Sequence, residues 1–290
     1  MDEDFLKIRL LFRGLRGPGS ANHFPPVTSL ATKLKALIGN NRSGTYPANS
    51  EIVKLYATAS VEMWQKALHS FLISASVTQA SPVWASVSGY YASHYVMRAF
   101  AHLYGYFQVH SKRAIFELNL DNNNFSIHII NKKSDDGEHK LYWRLVHELP
   151  RFKNDPLFYP NIDSPPTTNS SADYRSDSGH RNRANYADHV CQFRTFRPLD
   201  DEALRTRIYK ISSMEITDPQ VPNVDNFPDL DNVQLIAYHR ILKYRSFLDH
   251  ILSSNNQFWT MQRNPTWKPQ YFDFQIVGAD TTELLADLIA

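Results

Sequence analysis

The segment HRNRANYADH, residues 180–189, brings an arginine, an asparagine and a histidine close together in the sequence. Five residues separate Arg183 from His189, and Asn185 precedes His189 by four positions. Arginine stays charged and can donate two hydrogen bonds to a phosphate group, and histidine can carry a proton near neutral pH. These residue types suit the cleavage of RNA without a metal, in which a 2′-hydroxyl must lose a proton and the leaving oxygen must gain one.

The helix that must position these residues begins close to them. Because six residues along a regular helix rotate by about 240°, Arg183 and His189 cannot share a face in mid-helix, whereas Asn185 and His189 can. The preceding SDSGH predicts a helix start near Arg181, which leaves Arg183 in a first turn from which its long side chain can reach round. An arginine and a histidine at such a position also fit an ordinary solvated surface, and the residues alone leave both interpretations open.

Other candidate sites in the sequence are weaker. Arg98 and His102 lie four apart in RAFAH, on one helix face, where packing or a salt link explains them better than a functional site does. The chain contains no GxxxxGK[ST] loop, no GxSxG elbow and no HExxH pair. Its one cysteine, Cys191, excludes an internal disulfide and a cysteine-type zinc site. We therefore expect no cofactor and no metal.

The composition is that of a globular protein, with 42% hydrophobic and 13% aromatic residues in 290 positions. A net charge of +2 does not by itself indicate nucleic-acid binding, so any RNA contact requires a local basic patch. Arginines and aromatic residues are interleaved around HRNRANYADH, a mixture that suits phosphate contact and base stacking. The single cysteine, the charged amino terminus and the lack of a long apolar run predict a cytoplasmic chain without a membrane segment.

Helical spacing of apolar residues dominates the first part of the chain. It predicts short helices over Asp4–Leu15 and Ser29–Ile38, and then a helical hairpin over residues 50–107 that begins at Asn49 or Ser50. Small residues recur on one side of the second hairpin helix, which lets a neighbouring helix approach closely. These small residues are Ala85, Ser88, Gly89, Ala92 and Ala99.

The pattern changes after this hairpin. Three alternating runs predict an antiparallel β-meander at about residues 113–147, and residues 154–180 favour a flexible loop. Helices are expected again at HRNRANYADHVCQF, DDEALRTRIYKISS and NVQLIAYHRILKYRSFLDHILSS, and a strand near Gln270–Val277. The patterns divide the chain into an amino-terminal helical cap (1–49), a core with the inserted meander (50–200) and a carboxy-terminal helical extension (201–290).

The stretch SVSGYYASHY, residues 86–95, resembles a signature of the HEPN superfamily of helical-bundle domains. In that family the second long helix carries a serine, two tyrosines and an alanine, followed by an apolar run that ends near a glycine. The corresponding residues here are Ser88, Tyr90, Tyr91, Ala92, Arg98, Ala99 and Gly105. Two later matches follow in the family's order, and they are His110 with Ser111, and Arg181 with Ala184, Asn185 and Tyr186. The chain departs from the family at Val87, where a serine is usual.

The resemblance implies a mainly α (α+β) fold, a HEPN-like helical bundle with the β-meander inserted and extra helices at the carboxy terminus. Ribonucleases of this family carry an arginine, four to six further residues and a histidine, often paired across a dimer. Arg183 and His189 match this spacing, although Ala184 stands where a polar residue usually follows the arginine. The resemblance assigns phosphate binding to Arg183, proton transfer to His189 and substrate orientation to Asn185. Further RNA contacts are expected from Arg181, Asn182, Tyr186 and Arg194.

Two functions are compatible with this resemblance. The first is a metal-independent endoribonuclease, homodimeric, that cuts RNA through its own 2′-hydroxyl and acts as a toxin or antiviral defence effector. The second is a catalytically inactive HEPN-like module that binds a partner protein, such as a nucleotidyltransferase, in a defence or toxin-antitoxin system. The imperfect match at Ala184 favours the second.

Overall fold

The computed structural model describes residues 3–17, 25–40, 43–77, 81–110, 114–130, 138–152, 158, 232–252, 256–264 and 288. Of these residues 69% are helical, and the strands form one small antiparallel sheet, so this part of the chain is mainly α with an α+β character. Several predicted elements lie outside the described residues, namely the helices at HRNRANYADHVCQF and DDEALRTRIYKISS, the strand near Gln270–Val277 and nearly all of the loop at 154–180.

The described elements, in chain order, are α1 (Glu3–Leu11), α2 (Pro26–Ile38), β1 (Thr45–Pro47), α3 (Ser50–Ser76), α4 (Pro82–Leu103), β2 (Tyr106–Val109), β3 (Ala114–Asp121), β4 (Asn124–Ile130), α5 (Glu138–Glu148), α6 (Asn232–Leu252) and α7 (Gln257–Arg263). The two short amino-terminal helices, the helical hairpin and the long helix at NVQLIAYHRILKYRSFLDHILSS are confirmed. Within the described ranges, every helix is too short or too polar to cross a membrane.

The hairpin of α3 and α4 forms the centre of the fold, and side-chain caps start both of its helices. The Asn49 side chain accepts a hydrogen bond from the Ile52 backbone N–H at 2.9 Å, which satisfies one of the free amides at the start of α3. Ser81 caps α4 in the same way, and Pro82 follows it at the first helical position, where proline needs no hydrogen bond. These local signals explain why the sequence predicts the start of α3 correctly.

Small residues of α4 allow it to contact two other helices at once. A Cβ atom added to Gly89 would lie 3.3 Å from Ser74 Oγ of α3 and 3.4 Å from Gln234 Cγ of α6. The Ser74 hydroxyl donates to the Ala85 carbonyl of α4 and accepts a hydrogen bond of 3.0 Å from Gln234 Nε2. The expected close approach along the small face of this helix is therefore confirmed at Ala85 and Gly89.

The sheet contains four strands in the order β1-β4-β3-β2, and each neighbouring pair is antiparallel. The predicted meander is correct for β3 and β4 but wrong for its third run, because Glu138–Glu148 form helix α5. Leu141, Tyr142, Leu145 and Val146 of this run recur at helical spacing and are buried together. A run of this length fits both a helical and an alternating strand period, and burial of the helical face favours the helix.

Two strands that the sequence pattern did not predict complete the sheet. β2 follows α4 directly, because Tyr104 ends the helix and Gly105 turns the chain with a φ of 93°. β1 pairs with β4 at the opposite edge. The β3–β4 hairpin closes through Asn122 and Asn123, whose φ values of 47° and 65° are those of a two-residue primed turn.

The sheet packs one face on the helices, and its other face is polar towards β1 but carries Ile115 and Ile130 next to Gln108, with Ile115 buried. Phe107, Phe116, Leu118 and Ile127 are buried on the first face. On the second face a row of polar side chains crosses all four strands, each one the register partner of the next. These residues are Thr45, His128, Glu117 and Tyr106.

Two side chains of helix α1 donate hydrogen bonds to backbone carbonyls at the ends of two other helices. Lys7 Nζ donates to the Tyr104 carbonyl at 2.8 Å, and Arg9 Nε donates to the Ile251 carbonyl at 2.9 Å. Each cation thereby lies at the carboxy-terminal end of a helix, α4 in one case and α6 in the other, where the helix dipole favours positive charge.

Candidate functional site

The residues that the sequence singles out for catalysis and RNA binding lie outside the described residues. They are Arg181, Asn182, Arg183, Asn185, Tyr186, His189 and Arg194. Their assignment therefore stays a prediction. The described part of the chain contains the weaker candidate pair, the aromatic signature of α4 and the polar face of the sheet.

Arg98 and His102 do lie on one face of α4, and this face packs against α5 through Tyr142. The Arg98 guanidinium lies 5.2 Å from the centre of the Tyr142 ring, and the His102 ring meets the same ring edge-on at 5.5 Å. His102 Nδ1 is 2.9 Å from the Tyr106 carbonyl, and since a carbonyl can only accept, Nδ1 carries the hydrogen. The Tyr142 hydroxyl accepts a hydrogen bond of 3.1 Å from Gln108 N, at the outer edge of β2.

This environment makes His102 a poor proton carrier. Burial and, to a smaller extent, the nearby Arg98 charge lower its pKa to about 3, and the hydrogen bond to the Tyr106 carbonyl only partly opposes both effects. Burial likewise lowers the pKa of His147 to about 4 and that of His239 to about 3. Because catalytic bases work best with a pKa near the working pH, the lowered pKa of these three histidines suits packing better than acid–base chemistry.

The tyrosines of SVSGYYASHY belong to an aromatic cluster. Tyr90 is buried, its ring meets the Tyr91 ring edge-on at 5.5 Å, and it lies nearly parallel to the His94 ring at 6.3 Å. His94 is also buried and meets Tyr142 of α5 at 6.3 Å. This stretch therefore joins α4 to α5 through ring contacts, which is a packing role.

The polar face of the sheet carries a chain of hydrogen-bonded side chains near its β1 edge. Thr45 Oγ1 is 2.8 Å from His128 Nδ1, and Ser126 Oγ is 3.2 Å from His128 Nε2. The Ser126 hydroxyl also donates to Asp121 Oδ2 at 3.0 Å. Thr45 and Asp121 are exposed and the other two are half-buried. Hydrogen bonds thus link four groups in a row: the Thr45 hydroxyl, the His128 imidazole, the Ser126 hydroxyl and the Asp121 carboxylate.

The sequence analysis missed this chain of residues for a physical reason. Ser126 and His128 are two apart in a strand and therefore point to the same face, a signal that the alternation of β4 already contains. Thr45 joins them only because β1 pairs with β4, and β1 has three residues. A strand so short gives no periodicity from which its pairing could be predicted.

The same face also holds Glu117, which accepts a hydrogen bond of 2.9 Å from the Tyr106 hydroxyl. Burial, and then the charge of Glu117, raise the pKa of Tyr106. Among the residues that the structure describes, no group of three histidine, cysteine, aspartate or glutamate side chains is placed to hold a metal ion.

Comparison of the chain with protein-family models, with curated proteins and with solved structures finds no significant match.

Proposed function

We propose that this chain is a HEPN-like, metal-independent endoribonuclease that acts as a cytoplasmic homodimer in toxin or antiviral defence. Arg183 binds the phosphate, His189 carries the proton and Asn185 orients the substrate. The observation that carries the proposal is the order of two motifs along the chain, the Ser88–Ala92 signature followed by an arginine and a histidine five residues apart.

The histidines of the described bundle support this choice indirectly. His102, His147 and His239 have pKa values lowered to about 3 or 4 by burial, so they are weak bases at neutral pH. Arg183 and His189 match the family's spacing, and the sequence predicts a helix start near Arg181, from which the long Arg183 side chain can reach round.

In the proposed reaction the substrate's 2′-oxygen attacks the adjacent phosphorus and the bond to the 5′-oxygen of the next nucleotide breaks. His189 takes part in the proton transfer from the 2′-hydroxyl to the departing 5′-oxygen, and Arg183 stabilises the negative charge that grows on the phosphate oxygens. The products are a cyclic 2′,3′-phosphate end and a free 5′-hydroxyl end.

The deciding experiment is RNA cleavage by the purified chain in the presence of a chelator, with the new ends identified chemically. We expect cyclic phosphate ends from the wild type, and a loss of about 10²-fold or more in His189→Ala and Arg183→Ala. Arg16→Ala and His250→Ala, which remove exposed residues outside the family's motifs, serve as matched controls and should retain activity. Unchanged cleavage in His189→Ala would overturn the assignment.

A second candidate function is the catalytically inactive interaction module, and one observation favours it. Trp84, near the start of α4, leaves 61% of its surface exposed, and Ile73, near the end of α3, leaves 40% exposed. Burial of these two side chains against a partner would remove apolar surface from water, which favours association. The partner would be a nucleotidyltransferase or another subunit of a defence system.

This function predicts a defined complex with such a partner, stable through size-exclusion chromatography, and no RNA cleavage by the chain alone or by the complex. Trp84→Ser should abolish the complex without unfolding the chain, because the side chain is mostly in solvent. A solitary dimer that degrades RNA would exclude this alternative.

A further inference from the structure

The pairing of β1 with β4 fixes how Thr45 faces His128. The Ala48 N–H donates to the Phe125 carbonyl at 2.9 Å, and the Ile129 N–H donates to the Gly44 carbonyl at 3.1 Å. In an antiparallel ladder the residues between such bonded pairs are not themselves bonded through the backbone, and their side chains lie closest together. Thr45 and His128 form such a pair, which explains the short distance of 2.8 Å between their side chains.

The hydrogen bonds from Thr45 to Asp121 all point in one direction. The Asp121 carboxylate can only accept, so the Ser126 hydroxyl donates its hydrogen to it. The Ser126 oxygen is then free only to accept from His128, which places the imidazole hydrogen on Nε2. His128 Nδ1 is consequently the bare nitrogen, and it accepts from the Thr45 hydroxyl.

We propose that Thr45 is an activated nucleophile that takes an acyl group from reactive esters, with His128 as its base. The arrangement has the three parts that nucleophilic catalysis requires, namely a hydroxyl, a base within hydrogen-bond reach, and groups that fix the base in one tautomer. Ser126 and Asp121 are positioning residues, because they act on Thr45 only through His128. This proposal does not rest on the proposed ribonuclease motif.

The reaction is balanced by the residues present and by water. Thr45 Oγ1 bonds to the ester carbonyl carbon while its proton passes to His128 Nδ1, and the bond to the leaving alcohol then breaks as His128 returns the proton to that alcohol. Water then attacks the acyl carbon while His128 Nδ1 takes its proton. The bond from that carbon to Thr45 Oγ1 breaks, and His128 returns the proton to Oγ1, which releases the acid and restores Thr45. Since β1 is an edge strand and Thr45 lies between bonded pairs, its own N–H faces the open edge and can donate to the carbonyl oxygen of the ester.

The test uses the full chain and a fluorophosphonate probe, which reports the nucleophile as a stable adduct. Thr45 Oγ1 forms a bond to phosphorus, fluoride leaves, and the proton passes to His128. We expect the adduct on Thr45, located by peptide mass mapping. Thr32 is a matched control, since its exposed hydroxyl donates to the Thr28 carbonyl at 3.0 Å instead of to an imidazole, and it should carry no adduct.

Variants separate nucleophilic activation from folding. Thr45→Val keeps the side-chain shape and should remove the adduct, whereas Thr45→Ser keeps the hydroxyl and should restore it. His128→Gln should slow labelling by about 10-fold or more, because the base is lost while a polar side chain remains. Absence of an adduct on Thr45 in the wild type, or an equal labelling rate in folded His128→Gln, would overturn the proposal.

Discussion

Replacement of Lys7 by methionine should remove a pH dependence from the stability of the folded chain. Lys7 is half-buried against the turn after α4, where its Nζ donates to the Tyr104 carbonyl at 2.8 Å. Burial lowers its pKa from 10.5 to about 8, although the charges of Glu117, Asp4 and Glu3 act in the opposite direction. The folded chain therefore gives up this proton more readily than the unfolded chain does.

The sign of the effect follows from proton binding. Between pH 8 and 10.5 the unfolded chain holds more protons on Lys7 than the folded chain, so the free energy of unfolding rises with pH in this window. Each pH unit between the two pKa values is worth about 1.4 kcal/mol, and from pH 7.5 to pH 9.5 the gain from Lys7 is about 2 kcal/mol. Below pH 7.5 both states hold the proton, and the contribution no longer changes.

The assay is urea unfolding of the wild type and Lys7→Met at pH 7.5, 8.5 and 9.5. Staying at or below pH 9.5 avoids most tyrosine ionisation, which matters because burial raises the pKa of Tyr244 and that of Tyr106. The difference in unfolding free energy between wild type and Lys7→Met should shift by about 2 kcal/mol in favour of the wild type across this range. Lys35→Met, at an exposed position of α2, should show no such shift. A pH-independent difference for Lys7→Met would refute the reasoning.

Two further substitutions test the packing. Gly105→Ala should destabilise the chain by about 3 kcal/mol, because φ is 93° and the new Cβ would lie 2.6 Å from the Leu118 carbonyl oxygen. As a control in the same urea assay, Gly39→Ala, whose new Cβ would meet no atom within 4 Å, should cost about 1 kcal/mol. Ser60→Ala should lower the free energy of unfolding by about 1–3 kcal/mol, since it leaves the buried Tyr244 hydroxyl without the Ser60 oxygen at 2.6 Å. In a double-mutant cycle, the stability lost in Ser60→Ala/Tyr244→Phe should be smaller than the sum of the losses in the two single variants.

The elements that could be predicted from sequence are those whose signals are local. Asn49 caps α3 and the apolar spacing continues for 27 residues, so the helix could be recognised without any knowledge of its neighbours. The 11 residues of α5 carry the same kind of apolar run but are too few to separate a helical period from an alternating one. The packing of Tyr142 against α4, which the sequence does not reveal, decides the outcome.

The polar chain on the sheet could not be predicted, because it depends on a contact between distant positions. Thr45 and His128 are 83 residues apart, and nothing near Thr45 in the sequence indicates a base. For Arg98 and His102 the sequence favours packing over a functional role, although their spacing on one helix face also fits a functional pair. Burial among the helices and against Tyr142, which only the fold provides, lowers the pKa of His102 and agrees with the packing role.

The position of α6 shows how buried polar side chains specify the register of this bundle. Ser60 of α3 donates to the Ala99 carbonyl of α4 at 2.6 Å and contacts the Tyr244 hydroxyl of α6 at 2.6 Å, so three helices meet at one oxygen. Trp64 Nε1, one turn further along α3, donates to the Ile241 carbonyl of α6 at 3.1 Å. Apolar contacts alone tolerate a shift of one helix along another, but a shift of one turn would leave these buried donors unsatisfied at a cost of about 1–3 kcal/mol each. The hydrogen bonds from α3 therefore select one alignment of α6, although α6 is far from α3 in the sequence.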